Sequence, residues 1–235
     1  MSKAYRIIGM TLLVISMMIF GSLLFVPYIN AKSQANEIAV YQHTSQSFKR
    51  LEREAILNEC RDYNSKLIET GSLHEPVETM LDKYHSLLNV NGDGIMAVIT
   101  IPFIDVTLPV YHGTDNMVLR KGAGHCTWSS LPTGERNTHS VITAHNGMAE
   151  ARMFTDLPLL KPGDTFTLTV LNENMIYTII SIQEIMPDDT SPFIMHPDAA
   201  LCTLITCIPY GVNNRRLCVT GIRRKQSVNT EIKDQ

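Results

Sequence analysis

The sequence predicts a mainly β domain, a closed barrel or sandwich of seven or eight short strands, carried behind a helical region and one membrane span. Three observations carry that prediction. The segment from Ile7 to Val26 is 20 residues without a charge. Residues 37 to 88 repeat apolar side chains at helical spacing. From residue 95 onward, short apolar or alternating runs follow one another between Pro, Gly and Asn punctuation.

The first segment has about the length a helix needs to cross a bilayer. Lys3 and Arg6 precede it and the first charge afterwards is Lys32, so the positive-inside bias places residues 1–6 in the cytoplasm and the rest outside. A cleaved signal peptide is the competing reading. Its apolar core runs only about 7–15 residues, and the residues around Ala31 make a poor cleavage site. We therefore expect an uncleaved single-pass anchor over 7–26.

A helical region is expected over 27–90, with Ile56, Cys60, Tyr63 and Leu67 on one face and a break at "TGSLHEP" before a second pattern through Met80, Leu81, Tyr84 and Leu88. "NVNGDG" is a turn, and the barrel is expected over 91–225. Its strands are "IMAVITI", "IDVTLPVYH", "HSVITAH", "TFTLTVL", "YTIISIQEI", "ALCTLIT" and "RLCVTGI", the fourth and fifth joined as a hairpin through "NEN". A short helix is expected in "MAEARMFTDLPLL", and 226–235 is a polar tail.

Net charge −3 and a pI near 6.2 supply no basic field for gathering nucleic acid. The chain has no Gly-rich phosphate loop, no CxxC pair and no HExxH helix, and no spacing collects three or four metal ligands. No cofactor or metal is called for. The five cysteines, at 60, 126, 202, 207 and 218, are an odd count, so at least one is free.

Cys202 and Cys218 lie inside apolar strands, where a cysteine is usually a small buried hydrophobe. Only Cys207 sits where a strand hands over to a loop, "TLITCIPYGVNNRRL". If 201–207 and 216–222 are adjacent antiparallel strands, the thiol and an arginine share one rim. Arg215 and Arg216 then point to opposite faces, one toward the site and one toward solvent. A thiol of ordinary pKa about 8.5 is mostly protonated at neutral pH, so nucleophilic use needs a base or cation nearby. Among eight histidines, His43, His74 and His85 read as surface residues of the helical region, His112 and His125 as loop residues that bond backbone, and His196 as a loop residue. His139 opens the strand "HSVITAH" and His145 closes it, ahead of Asn146-Gly147, which repeats the placement of Cys207. The bland alternative is a core cysteine, a surface histidine and a solvated arginine.

"TLITC", followed by "PYGVN" and "RRL", resembles the sortase signature. "YHSLLNVNGDGIMAVITIPFIDVTLPVYHGT", "KGAGHCTWSSLPTGERNTHSVITAHNGM" and "ARMFTDLPLLKPGDTF" resemble its class C, pilus-assembling branch, and together the matches run from about residue 37 to 224. The resemblance implies an eight-stranded sortase β-barrel with Cys207 as nucleophile, His145 as its partner and Arg216, rather than Arg215, as the cation. It implies a cell-surface transpeptidase of a Gram-positive organism that cuts an LPxTG-type sorting signal between Thr and Gly. The acyl group would pass to a lysine amine of a pilin subunit or, in the anchoring alternative, to a peptidoglycan amine.

Two departures stand out. The class C lid carries an Asp-Pro-aromatic motif, whereas here the stretch reads Glu75-Pro76-Val77, without a ring to lay over the thiol, and reads either as a degenerate lid or as a plain helix-breaking loop. Many relatives also carry a second span after the barrel, and none is expected here. The rival readings are a non-catalytic tethered barrel that binds peptide or glycan, and a simple cysteine protease that releases a free acid.

Overall fold

The computed structural model describes residues 3–69, 78–148 and 151–224. The calls on Glu75, Pro76 and Val77, on His74 and on the tail 226–235 lie outside these residues.

Eight strands close into one barrel: β1 (Ile95–Ile101), β2 (Val106–His112), β3 (Ala123–His125), β4 (Thr138–Thr143), β5 (Thr165–Val170), β6 (Glu173–Ile185), β7 (Ala200–Ile208) and β8 (Arg215–Arg223). Their order around the barrel is β1-β2-β3-β4-β7-β8-β6-β5, with β5 pairing back to β1. Closure leaves no open sheet edge, which the alternating runs of the sequence require if no partner is to pair with them. Only β2–β3 and β4–β7 run parallel.

Seven strands fall where the sequence places them. The exception is β3, three residues in "GAGHC" that read as loop. Its brevity leaves no period to detect, and it is made by pairing, Val110 with Ala123 and His125 with Ile142. The β5–β6 hairpin turns on Leu171-Asn172, both at positive φ (47° and 66°), so β6 begins at Glu173, inside "NEN" and four residues before the expected start at Tyr177. The expected helix in 148–160 is absent among the described residues, which form turns and a 3₁₀ helix, Leu157–Leu159. Met153, Phe154, Leu157 and Leu160 do point inward at helical spacing. Met153 takes φ 41° and the Phe154 N–H donates to His145 O, so the segment is tied to the end of β4 and its own backbone bonds close only turns and a 3₁₀ helix.

Before the barrel stand α1 (Lys3–Ser47), α2 (Arg50–Glu69) and α3 (Glu78–Ser86). Helix α1 is continuous from the apolar segment into the region expected to be separate from it, and Pro27 lies within it. It is long and apolar enough to cross a membrane, and none of its apolar window is buried in the protein. Its last third packs on the barrel. Tyr41, fully buried, donates its hydroxyl to Met96 O (2.9 Å) and accepts from Leu171 N (3.1 Å), while Gln34 donates to Lys121 O (2.8 Å). Helix α2 buries Leu57, Cys60, Tyr63 and Leu67, one turn-spaced face, against the same core; Ile56 is only partly covered.

Polar latches tie α3 and the loops to the barrel. His112 sets its ring nitrogens against Gly94 O (2.9 Å) and Leu87 O (2.8 Å). His125 is fully buried, donates Nε2–H to Ser130 O (2.9 Å) and accepts at Nδ1 from Tyr84 Oη (3.0 Å). Both bond backbone as expected, although they sit on strands. Burial pushes the His125 pKa down to about 4, from an ordinary 6.5. The unfolded chain therefore binds the extra proton between those values and the folded chain does not. Stability is fully present above pH 6.5 and falls as the pH drops toward 4, by up to about 3 kcal/mol from this residue alone. His112 and His139, both lowered by burial, act in the same direction. Guanidinium unfolding of the detergent-solubilised chain is expected to show a lower midpoint at pH 4.5 than at pH 7; equal midpoints would contradict a neutral His125.

Candidate active site

The strand β7 ends in Cys207-Ile208, paired with Arg216 and Arg215 of β8. Directly opposed residues of an antiparallel pair project to one face. Cys207 and Arg216 therefore share a face, and Arg215 with Ile208 takes the other. Burial tells which face is which. Cys202, Leu204 and Ile208 of β7 and Leu217 and Val219 of β8 belong to the core inside the barrel. Val141, Ile185, Ile205 and Cys218 form a second cluster outside it, beneath Phe193 and Trp128. Cys207 and Arg216 continue that outer row, with Ile185 of β6 on the far side of Arg216.

The parallel partner β4 brings a third group. Its register runs Val141 with Thr203 and Thr143 with Ile205. Beyond the last pair, Ala144 N donates to Ile205 O (3.2 Å), Thr206 Oγ1 donates to Ala144 O (2.8 Å) and Asn146 Nδ2 donates to Cys207 O (2.8 Å). His145 lies between these contacts, half-buried, with its own carbonyl taken by Phe154 N (3.0 Å). Extending the register by two places it beside Cys207. Backbone bonds on both sides fix its position. The three residues singled out in the sequence therefore meet on one rim; Arg215 does not join them.

The thiols differ in exposure. Cys60, Cys126, Cys202 and Cys218 are buried, and Cys207 alone is partly exposed; none of the five is disulfide-bonded. Burial pushes the Cys60 and Cys218 thiols up to about 12, and Cys202 is raised further by the same cause. Those three stay protonated at neutral pH and are walled from solvent, so they have neither the thiolate nor the access that reaction needs. Arg216 as a residue is half-buried, its Nη1 donating to Asn213 O (3.0 Å) and Arg215 O (3.1 Å) on the exposed side, which braces the guanidinium on the β7–β8 loop.

Several positioning groups escaped the sequence reading. Asn146-Gly147 reads there as a turn signal, and nothing in its spacing reveals that Asn146 grips Cys207. Gly147, at φ 74°, lies under the ring of Tyr210, and a Cβ there would collide with that ring. The contact joins the loop carrying His145 to the loop carrying Tyr210. Gly147→Ala is expected to push the two loops apart and lower turnover about tenfold or more, the scale on which sub-ångström misplacement acts. Comparing kcat with thermal stability checks this, because a shift in stability alone would contradict it. His139 supplies a second strap. Its Nδ1–H donates to Ile194 O (3.1 Å), and its Nε2 accepts from Thr203 Oγ1 (2.7 Å), which in turn meets Thr220 Oγ1 (2.8 Å). It holds the β6–β7 loop over the outer face. His43, His85 and His196 are exposed, as expected of residues with no part in the rim.

A closed mixed barrel whose strand-end thiol faces a cross-strand arginine defines a class, the cysteine transpeptidase barrels. The Sortase domain model matches residues 99–223, which is more than half of the chain and every strand but part of β1. The chain belongs to the sortase family and is a cysteine transpeptidase. Its structural neighbours include class C sortases and a sortase A from Corynebacterium diphtheriae, 34% identical with a TM-score of 0.72, covering 85% of this chain and 97% of that one. Sortase C1 from Streptococcus agalactiae is 36% identical and superposes with a TM-score of 0.78, covering 81% of this chain and 98% of that one. Streptococcus pneumoniae sortase C, a structure described for its pilin substrate specificity, is 32% identical with a TM-score of 0.72, covering 81% and 97%. Among curated relatives, sortase A of Streptococcus agalactiae serotype III is 28% identical over 204 residues, 83% of this chain and 77% of that one.

Proposed function

We propose that this chain is a membrane-anchored pilin polymerase, in which Cys207 attacks a sorting signal of LPxTG type between Thr and Gly and hands the acyl group to a pilin lysine. The observation that carries the residue roles is the direct cross-strand pairing of Cys207 with Arg216 beside a tethered His145.

The Cys207 thiolate adds to the threonine carbonyl. Arg216, held by two backbone carbonyls, keeps further N–H donors for the oxygen on which charge develops. Protonated His145 gives its proton to the departing glycine amine as the C–N bond breaks, leaving a thioester. Neutral His145 then takes a proton from the incoming lysine amine, which attacks the thioester and releases the thiolate. Water in place of the amine gives the free acid, the hydrolytic side reaction. The domain limits follow: residues 1–6 inside, 7–26 spanning, 27–90 helical and 91–225 catalytic. Residues 75–77 would form the degenerate lid.

The pilin assignment is supported by the class C neighbours, one described for pilin specificity and another named for a pilus island. Cell-wall anchoring is the second reading, and sortase A relatives favour it. Incubating the chain with an LPxTG-bearing peptide and, separately, a pilin-derived lysine peptide or a cell-wall peptide amine distinguishes them. Polymerisation predicts an isopeptide to the pilin lysine. Product formed only with the cell-wall amine would replace it, and free acid alone would favour the protease.

A further inference from the structure

We propose that the barrel end bearing Cys207 rests on the lipid surface, with the β1–β2 turn and residues 151–164 as its interfacial contacts. The inference rests on the reading of 7–26 as a membrane span.

The strand directions decide which loops share an end. β1 runs down to the turn at 102–105 and β2 runs back up from it. β3 is parallel to β2, β4 antiparallel to β3, and β7 parallel to β4, so β4 and β7 both finish at the end occupied by that turn. β5 and β8 begin there, and β6 finishes there. The Cys207 rim, residues 144–148 and 151–164, and the β7–β8 loop therefore lie at one end with Pro102–Ile104.

Helix α1 marks that end as the one nearest the membrane. Pro27, the first residue after the apolar segment, lines a cavity of about 290 Å³ together with Ala31, Asp105, Val106 and Arg152. Farther along, α1 meets Tyr111 through Glu37, then Met96 and Leu171 through Tyr41, all toward the opposite end. The helix climbs the barrel wall from the turn upward, so the turn lies level with the end of the span. No separate linker intervenes, because α1 is one helix through Ser47.

The side chains at this end suit an interface. Phe103 is 61% exposed at the tip of the turn, and Leu159, Met186, Tyr210 and Val212 are large apolar groups exposed on neighbouring loops. Exposed Lys161 and Arg215 supply cations among them for headgroup phosphates, whereas Arg152 is paired with Asp105 (3.8 Å) and Asp156 (3.2 Å). Aromatic and amphipathic side chains favour the headgroup region of a bilayer, where one part is apolar and another wet. The active site then opens toward the membrane, and a protein substrate is engaged at the bilayer surface.

The test uses the full chain in phosphatidylcholine–phosphatidylglycerol vesicles, with Trp128→Phe removing the one native tryptophan. Single tryptophans are placed by Phe103→Trp, Leu159→Trp, Met117→Trp and Phe20→Trp, and lipids with quenchers at shallow or deep acyl positions are added. Phe103→Trp and Leu159→Trp are expected to shift to the blue and lose most of their emission to the shallow quencher. Met117→Trp, near the far end, should lose none, and Phe20→Trp should be quenched by the deep one. Phe103→Trp and Leu159→Trp as unquenched as Met117→Trp, with Phe20→Trp quenched, would overturn the inference and leave the anchor standing. An unquenched Phe20→Trp would overturn the anchor and the inference together.

Discussion

Cys207→Ala is expected to abolish transpeptidation, lowering kcat by about a millionfold, the scale on which removing the nucleophile of a hydrolytic triad acts. No other thiol can substitute. Cys202 and Cys218 point into the sealed inner and outer clusters, Cys60 is fully covered beneath α2, and Cys126 is buried beside β4. The protein should remain folded, because Cys207 lies at the rim and is only partly buried, so its sulfur contributes little packing. Following isopeptide formation by mass spectrometry, with circular dichroism as the fold control, checks both halves. Retention of product by a folded Cys207→Ala variant would remove the thioester from the mechanism.

The second large effect concerns the two arginines. Arg216→Ala is expected to cost about 10²- to 10³-fold in kcat, as loss of one fixed oxyanion donor does. Arg216→Lys should recover little, since an ammonium cannot keep both backbone carbonyls and still offer a planar set of donors. Arg215→Ala should stay near wild type, because register turns it with Ile208 to the opposite face. Steady-state kinetics on the three variants measures the contrast. An equal loss at Arg215 and Arg216 would mean that positive charge, and not the geometry of one guanidinium, is what the site uses.

The rim was legible because its parts are short-range or strongly patterned. Residues 200–208 and 215–223 are apolar runs separated by a six-residue loop, so antiparallel pairing follows, and with it the meeting of Cys207 and Arg216. His145 was found by position, at the end of a run of apolar residues that had to be a strand. What the pattern could not supply was the choice between Arg215 and Arg216. Parity fixes that they diverge, but only the register, set by the whole barrel, says which one faces the thiol.

The failures have physical reasons of the same kind. β3 owes its existence to neighbours on both sides and has no period of its own. Residues 151–160 carry a helix-like apolar spacing, yet Phe154 N bonds His145 O just past β4 and the remaining backbone bonds close only short turns and a 3₁₀ helix, so tertiary pairing overrides the local preference. Asn146 could not be recognised as a positioning residue, because its partner is a backbone carbonyl 61 residues away. The anchor and the helical region were read as separate pieces. A helix that never meets a strong stop continues, and Pro27 removes one backbone donor without ending it.

The most direct test of the mechanism is to trap the acyl-enzyme. The full chain, mixed with an LPxTG-bearing peptide and no amine, is quenched in acid and its intact mass measured. Proteolysis then maps the modified residue. A mass gain equal to the peptide truncated after threonine, located on Cys207 and removed by added amine, is the predicted result. Product formation with no adduct, or an adduct on another residue, would contradict the account.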